Sequence, residues 1–334
     1  MNCAVIAFTR RGAALGHRLA EAWGAPLCVP PRLAEELGER AYDSLEAWTA
    51  EAWGSREALV FVGACGIAVR AIAPHVRDKF TDPAVIALDE GGSWAIALLS
   101  GHVGGANALA RQAAALTGGQ AVVTTATDVN GLFAVDVWAR ERNLAIGDRV
   151  LAKEVSAAIL EGETVGFVSD FPTEGALPKG LTWGPRRLTI RVTDREDREP
   201  GVLRLIPGTL ILGLGCRRGK SAGELEAAVE EALGKGGLDP RAVGCTASID
   251  LKKDEPGLLE FCRARKLPLR TYSAQALEAL PGEFTHSDLV RKVTGVDNVC
   301  ERAAVLTGGD LVLPKQAGNG VTVAVARKKT TIYL

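Results

Sequence analysis

Residues 99–107 read Leu-Ser-Gly-His-Val-Gly-Gly-Ala-Asn, and they place one of only four histidines in a glycine-rich turn. The turn falls between an apolar run, 96–99, and a helical pattern. An imidazole titrates near neutral pH, so His102 can activate water as a general base, hydrogen-bond a ligand, or serve as a neutral structural residue. A second polar turn, Thr124-Thr-Ala-Thr-Asp128, offers three hydroxyls and a carboxylate. Those groups can orient water or a substrate, or cap the helix that starts near Leu132. If the two turns share a sheet edge, Asp128 can pair with His102. A third segment, Gly213-Leu-Gly-Cys-Arg-Arg-Gly-Lys220, misses the phosphate-loop pattern because Leu214 stands where glycine is needed. Arg217, Arg218 and Lys220, with the start of the helix behind them, still form an anion cradle suited to carboxylates. The alternative is a capped helix with solvated basic residues.

These segments need a scaffold, and the remaining sequence supplies an alternation of short apolar runs and helical patterns. Strands are expected at 5–9, 59–62, 85–88 and 94–99, the last two joined by a hairpin turn at 89–92. Helices are expected at 11–23, 45–53, 67–72, 104–116 and 132–141. A second unit begins near residue 145, with a helix at 150–160, strands at 165–168 and 188–192, and a polar loop, linker or hairpin tip at 193–200. A third has a strand at 210–212, a turn from Gly213, a helix at 221–233, and further strands at 242–246, 269–272, 311–313 and 321–326. Between those strands come helices at 255–266, 287–293 and 299–306. The pattern implies a multidomain, layered α/β protein with domains at 1–143, 144–207 and 208–334.

Composition narrows the function classes. The chain has 334 residues, 47% hydrophobic and 24% charged, as expected for globular domains. A net charge of -1 argues against a general nucleic-acid binder. The first apolar run is too short for a signal peptide, and no run reaches membrane-spanning length, which points to the cytoplasm. Seven cysteines without a CxxC pair suggest reduced thiols, and their spacing suggests no metal site. His17 and His75 show no clear partner, and Glu90 reads as an exposed acid at the hairpin tip.

Several longer strings carry a resemblance: Gly63-Ala-Cys-Gly-Ile-Ala-Val-Arg70, Ile72-Ala-Pro74, Lys79-Phe-Thr-Asp-Pro83, Leu98 to Asn107, and Thr124 to Gly131. Further along come Ser169-Asp-Phe-Pro172, Gly213 to Gly219, Ala247-Ser-Ile-Asp-Leu-Lys252, and Thr294-Gly-Val-Asp-Asn-Val-Cys-Glu-Arg-Ala303. Together they resemble the CbiG family of cobalamin biosynthesis, the cobalt-precorrin-5A hydrolases, over nearly the whole chain, and the C-terminal region is similar to CobE. The resemblance implies a Rossmann-like N-terminal domain, a small central α/β domain and a three-layer α/β CobE-like C-terminal domain. It implies opening of the δ-lactone of cobalt-precorrin-5A and release of acetaldehyde to give cobalt-precorrin-5B. It places no metal or organic cofactor on the protein, because cobalt arrives in the substrate. The implied partners are that substrate, corrin-pathway methyltransferases that hand it over, and a second copy of the chain in a homodimer, with no nucleic acid and no membrane. A non-catalytic corrinoid carrier is the competing class.

On this reading the catalytic residues are His102, Asp128 and Thr125, with the N–H groups of Gly104 and Gly105 or a threonine hydroxyl stabilising the oxyanion. Substrate-binding positions are Gly66, Arg70, Ser100, Gly101, Gly104, Gly105, Asn107, Thr124, Thr127, Gly215, Cys216, Arg217, Arg218, Gly219 and Lys220.

Overall fold

The computed structural model describes residues 2–78, 81–102 and 104–334, and the side chains of all of these except Thr127, Asp128 and Leu289. Lys79, Phe80 and Val103 of the strings above therefore lie outside the described residues. The chain divides into two compact units, Met1–Val137 and Trp138–Leu334.

The first unit is built on a seven-stranded sheet. Its elements are β1 (Cys3–Ala7), α1 (Arg10–Trp23), β2 (Leu27–Val29), α2 (Pro31–Leu37), β3 (Arg40–Ala41), α3 (Leu45–Ser55), β4 (Ala58–Val62) and α4 (Cys65–Ile72). They continue with β5 (Ala84–Leu88), β6 (Trp94–Leu99), α5 (Ala106–Thr117), β7 (Gln120–Val122), α6 (Ala126–Val129) and α7 (Val135–Glu141), whose start lies in this unit. The strand order is β3-β2-β1-β4-β5-β6-β7. Neighbouring strands from β3 to β5 run parallel. The turn at 89–92 then reverses the chain, so β6 pairs antiparallel with β5, and β7 runs parallel to β6.

Alternation along the strands dictates the layers. Val5, Ala7, Val60, Val62, Ile86 and Leu88 bury against Leu15 and Leu19 of α1 and Leu109 and Ala113 of α5. Ile6, Leu59, Phe61, Val85 and Ala87 face Trp48 and Ala52 of α3 and Ala68 and Ile72 of α4. A sheet covered on both faces needs apolar runs rather than polar alternation, as β4 and β5 show.

The second unit holds two larger sheets. The first contains β8 (Leu144–Ile146), β9 (Val165–Ser169), β11 (Leu181–Trp183), β12 (Thr189–Val192) and β13 (Val202–Pro207), in the order β11-β9-β12-β13-β8, together with α8 (Arg149–Leu160). A two-residue strand β10 (Thr173–Glu174) pairs with β19 (Ile332–Tyr333) near the C-terminus. The polar run at 193–200 is not a hairpin tip, because β12 and β13 are parallel. Its first residues, Thr193 and Asp194, are buried. Asp194 accepts from both Nε and Nη2 of Arg327 at 2.6 and 2.8 Å, and from Thr209 Oγ1 at 3.1 Å.

The last sheet has the order β16-β15-β14-β18-β17, from β14 (Leu210–Cys216), β15 (Val243–Ile249), β16 (Leu269–Tyr272), β17 (Gly309–Gly318) and β18 (Val321–Lys328). One face packs on α9 (Ala222–Gly236) and α10 (Pro256–Ala264). The other packs on α11 (Ala274–Glu278), α12 (Asp288–Thr294) and α13 (Cys300–Leu306). The strand expected at 210–212 runs on to Cys216, because Gly213 to Cys216 pair with β18 as far as Val321. Gly213 is a packing glycine: a methyl group there would overlap the Cys300 carbonyl oxygen at the start of α13.

Two predictions follow from this packing. Gly213→Ala forces α13 off the sheet and costs about 3 kcal/mol, in the range of core overpacking. Gly234→Ala, in α9 with open space around it, adds roughly 0.5–1 kcal/mol. Urea unfolding of the two variants checks both signs. Buried Asp239 gives the second. Burial pushes its carboxyl up, but hydrogen bonds from Arg241 and the charge of Arg204 outweigh that and hold it below the usual value. A lowered folded-state pKa contributes stability above the unfolded value of about 3.9 that is lost as pH falls through the folded one. Asp239→Asn is therefore less stable near neutrality, with a shallower stability loss below about pH 4 in denaturant midpoints measured across pH.

Candidate functional site

The reversal at β6 decides where the histidine turn sits. Leu99 pairs with Val85, so the end of β6 lies beside the start of β5. Because β7 parallels β6, the threonine turn emerges at the same sheet edge. The two turns are joined directly: Asn107 Nδ2 donates to Thr125 Oγ1 at 2.9 Å, and Asn107 is buried. The expected juxtaposition of the two turns is thus present.

The histidine turn is tightly constrained. Ser100 has φ +53° and is 8% exposed, and its hydroxyl is buried with no hydrogen-bond partner among the described residues. A non-glycine residue in this region and an unpaired buried hydroxyl each cost roughly 1–3 kcal/mol. The glycines make the turn possible. A methyl group on Gly101 would meet Asn107 Oδ1 at 2.6 Å, one on Gly104 would overlap Ser100 Cβ, and Gly105 has φ +90°. Such strain is characteristic of functional turns.

The backbone donors of this turn are largely committed. Gly105 N donates to His102 O at 3.1 Å, Ala106 N to Ser100 O at 3.1 Å, and Asn107 N to Gly101 O at 3.0 Å. Gly105 is therefore not a free oxyanion donor, and the start of α5 is closed by its own turn carbonyls.

The acid that meets His102 is one the sequence reading passed over. His102 Nδ1 lies 3.5 Å from Asp136 Oδ1, with the two side chains 16% and 11% exposed. Asp136 stands in the first turn of α7 and also accepts from Val137 N at 3.0 Å. The expected helix at 132–141 begins only at Val135, preceded by the short α6. The local signal for it is an acid in the first turn of the helix that follows Gly131. The side chains of Asp128 and Thr127, expected here, lie outside the described residues. Thr124 is exposed and Thr125 half-buried.

Gly66 and Arg70 do not join this cluster. They follow the opposite, carboxyl end of β4, in α4, which begins at Cys65 rather than after Gly66. Both are exposed, and Arg70 Nη1 donates back to Gly66 O at 3.3 Å. The length of a five-residue strand, about 16 Å, separates the two edges. Other expected loners have neighbours. Glu90 accepts from Thr9 Oγ1 at 2.6 Å, His17 Nδ1 lies 2.6 Å from Glu39, and the His75 ring sits 5.7 Å from that of Trp53.

In the second unit the expected anion cradle is mostly filled by the protein's own carboxylates. Ser221 and Glu224 form a reciprocal capping box at the start of α9. Lys220 Nζ donates to Glu224 at 2.7 Å, a contact that, with the Ser221 hydrogen bonds, lowers the Glu224 carboxyl to about 2. Gly219 N donates to Glu255 Oε1 at 2.7 Å, and Lys252 pairs with the same carboxylate. Gly215 is a close-approach position, since a methyl group there would meet Thr322 Oγ1 at 2.6 Å. Cys216 is half-buried, and burial pushes its thiol up. Arg217 and Arg218 remain exposed and outside these ion pairs.

The string Thr294–Ala303 also proves to be architecture. Buried Glu301 accepts from Thr285 N and Oγ1, Asn298 Nδ2 and Lys315 N at 2.7–2.8 Å. Arg302 pairs with Asp297, caps the Leu277 and Leu280 carbonyls, and stacks on Phe284. Burial raises the Cys300 thiol to about 11. Among the described residues no cluster of three or more His, Cys, Asp or Glu is arranged to hold a metal, and no helix is long and apolar enough to cross a membrane.

Known proteins share this organisation. Three family models match in chain order: Cobalamin synthesis G N-terminal at 47–128, Cobalamin biosynthesis central region at 133–207, and Cobalamin synthesis G C-terminus at 210–326. A Salmonella typhimurium protein named cobalt-precorrin-5A hydrolase is 35% identical over 341 residues, covering 97% of each chain. A Priestia megaterium protein of the same name is 33% identical over 296 residues, covering 81% of this chain and 79% of that one. Protein CobE of a Sinorhizobium species is 34% identical over 125 residues, 36% of this chain and 81% of CobE. Likeness of this extent, running through the histidine turn, the central sheet and the C-terminal layers alike, means that the chain belongs to the CbiG family of cobalamin biosynthesis proteins.

Proposed function

We propose that this protein is a cobalt-precorrin-5A hydrolase that opens the substrate's δ-lactone and releases acetaldehyde, giving cobalt-precorrin-5B. The observation that carries the reading is the 97% reciprocal coverage by a relative of that name. The strained histidine turn supplies a chemical rationale. His102 takes a proton from water as the water oxygen attacks the lactone carbonyl. Thr125, held by Asn107, and the Gly104 N–H are the groups assigned to the oxyanion. Collapse breaks the ring C–O bond and frees the alkoxide, whose oxygen becomes the carbonyl oxygen of acetaldehyde in the next step, while the proton held by His102 goes on to the macrocycle carbon that receives the electron pair. Cleavage of the adjacent carbon–carbon bond then releases acetaldehyde, with the bonding electrons passing to the macrocycle. Cobalt is cargo of the substrate and takes no protein ligand in this scheme.

Within the second unit the helix start at α9 is occupied internally, which leaves side chains as the groups that can recognise carboxylates there. Arg217 and Arg218 offer guanidinium forks for acetate and propionate groups in the second unit.

The test is incubation of the purified protein with cobalt-precorrin-5A, following acetaldehyde and the loss of the two-carbon unit by mass spectrometry. Binding without mass loss would identify a corrinoid carrier instead. His102→Ala should lower kcat by at least about 100-fold, the usual contribution of a general base. Near-normal turnover at saturating substrate would remove His102 from that role. The double variant Arg217→Gln, Arg218→Gln should raise KM on the order of tenfold with little change in kcat, the signature of lost uniform binding; steady-state kinetics at two ionic strengths reads it.

A further inference from the structure

We propose that Asp136 is the positioning residue for His102, holding the imidazole with its Nδ1 proton toward the carboxylate and its Nε2 lone pair toward the reacting water. The inference rests on His102 being the base of the proposed hydrolysis, and it deepens that reading by assigning the partner acid.

The geometry carries it. Nδ1 of His102 faces Asp136 Oδ1 at 3.5 Å, and both side chains are largely withdrawn from solvent. The separation exceeds a hydrogen bond of about 3 Å, but such contacts tighten when substrate excludes water. Neither partner is free to drift. The turn carrying His102 is locked by Ser100 in its left-handed conformation and by the carbonyl–amide bonds of Gly101 and His102. Asp136 follows Phe133 and Val135, both of which are buried.

The chemistry follows from this placement. A carboxylate on Nδ1 selects the tautomer whose Nε2 is unprotonated, and it stabilises the imidazolium once Nε2 has taken water's proton. No proton need move to Asp136. The charged groups on the elements concerned are Asp136 itself, Arg140 and Glu141 further along α7, and Arg111 on α5. A carboxylate beside Nδ1 favours the protonated form of the imidazole.

Nitrogen-15 long-range correlation spectra of the wild-type protein test the tautomer without any variant. The neutral His102 ring should carry its proton on Nδ1, and an Nε2–H tautomer would overturn the proposal. The same labelled protein should show His102 titrating at least about one pH unit lower in Asp136→Asn, while Asp136→Glu restores part of the difference. In turnover, Asp136→Asn should lower kcat by roughly 10- to 1000-fold with KM changed less than about threefold, and its pH–rate profile should lose the wild-type position of its acidic limb. A His102 titration that is unchanged in Asp136→Asn but shifted in Asp128→Asn would transfer the role to Asp128. Because the spectra need no substrate, their outcome stands apart from whether the protein hydrolyses cobalt-precorrin-5A. If Asp136→Asn fails to fold, the wild-type tautomer still decides.

Discussion

One reversal of chain direction organises the N-terminal unit. Up to β5 the chain climbs in parallel strands, each returned by a segment behind the sheet. The tight turn at 89–92, closed by Gly92 N on the Asp89 carbonyl, sends β6 the other way. The turns that follow β6 and β7 are thereby delivered to the amino edge of β5 instead of the carboxyl edge where Gly66 lies. Had β6 been parallel, the histidine turn would have shared an edge with the Gly63 turn, and Arg70 would have been its natural neighbour. The antiparallel pairing gives it Asn107, Thr125 and Asp136 instead.

A second constraint concerns unsatisfied backbone donors. Exposed N–H groups at a helix start attract anions only when nothing internal has claimed them. At α5 the carbonyls of Ser100 and Gly101 claim them, and at α9 the capping box does. The same glycines that look like ligand cradles in the sequence are there for steric reasons: Gly101 and Gly104 let the turn fold on itself, and Gly213 and Gly215 let α13 and β18 approach β14. The groups left outside such internal pairing near α9 are the side chains of Arg217 and Arg218.

The C-terminal unit is held together by buried charge in addition to apolar layers. Asp194, Arg204, Asp239 and Glu301 are all nearly inaccessible; arginines, amides or hydroxyls match the three acids, and Arg204 is matched by Asp239 and the Arg195 carbonyl. Removing one partner of such a group leaves the other unsatisfied, which costs more than the pair contributes. This explains why the polar run at 193–200 cannot behave as a linker at its start, and it gives the polar residues of the Asn298–Arg302 string a structural role. Local sequence shows polarity alone; burial is a property of what packs around it.

Sequence by itself determined the elements whose apolar pattern is long and regular. The helix at 11–23, the strands at 59–62, 85–88 and 269–272, the 89–92 hairpin, and the layered α/β class were all legible, because alternation and helical spacing are local properties. The family was legible too, from strings too long to coincide by chance. The identity of the acid beside His102 was not: Asp136 lies 34 positions away, and only the packing of α7 brings it to the histidine turn. Nor could sequence say that Gly66 and Arg70 lie at the other sheet edge, or that Glu255 reaches the basic turn, since both depend on strand direction and long-range packing, whereas the Ser221–Glu224 capping box is a local pattern. Tertiary structure decided these matters because catalytic geometry is set by distances between elements, and those distances are fixed only when the sheet has chosen its order and direction.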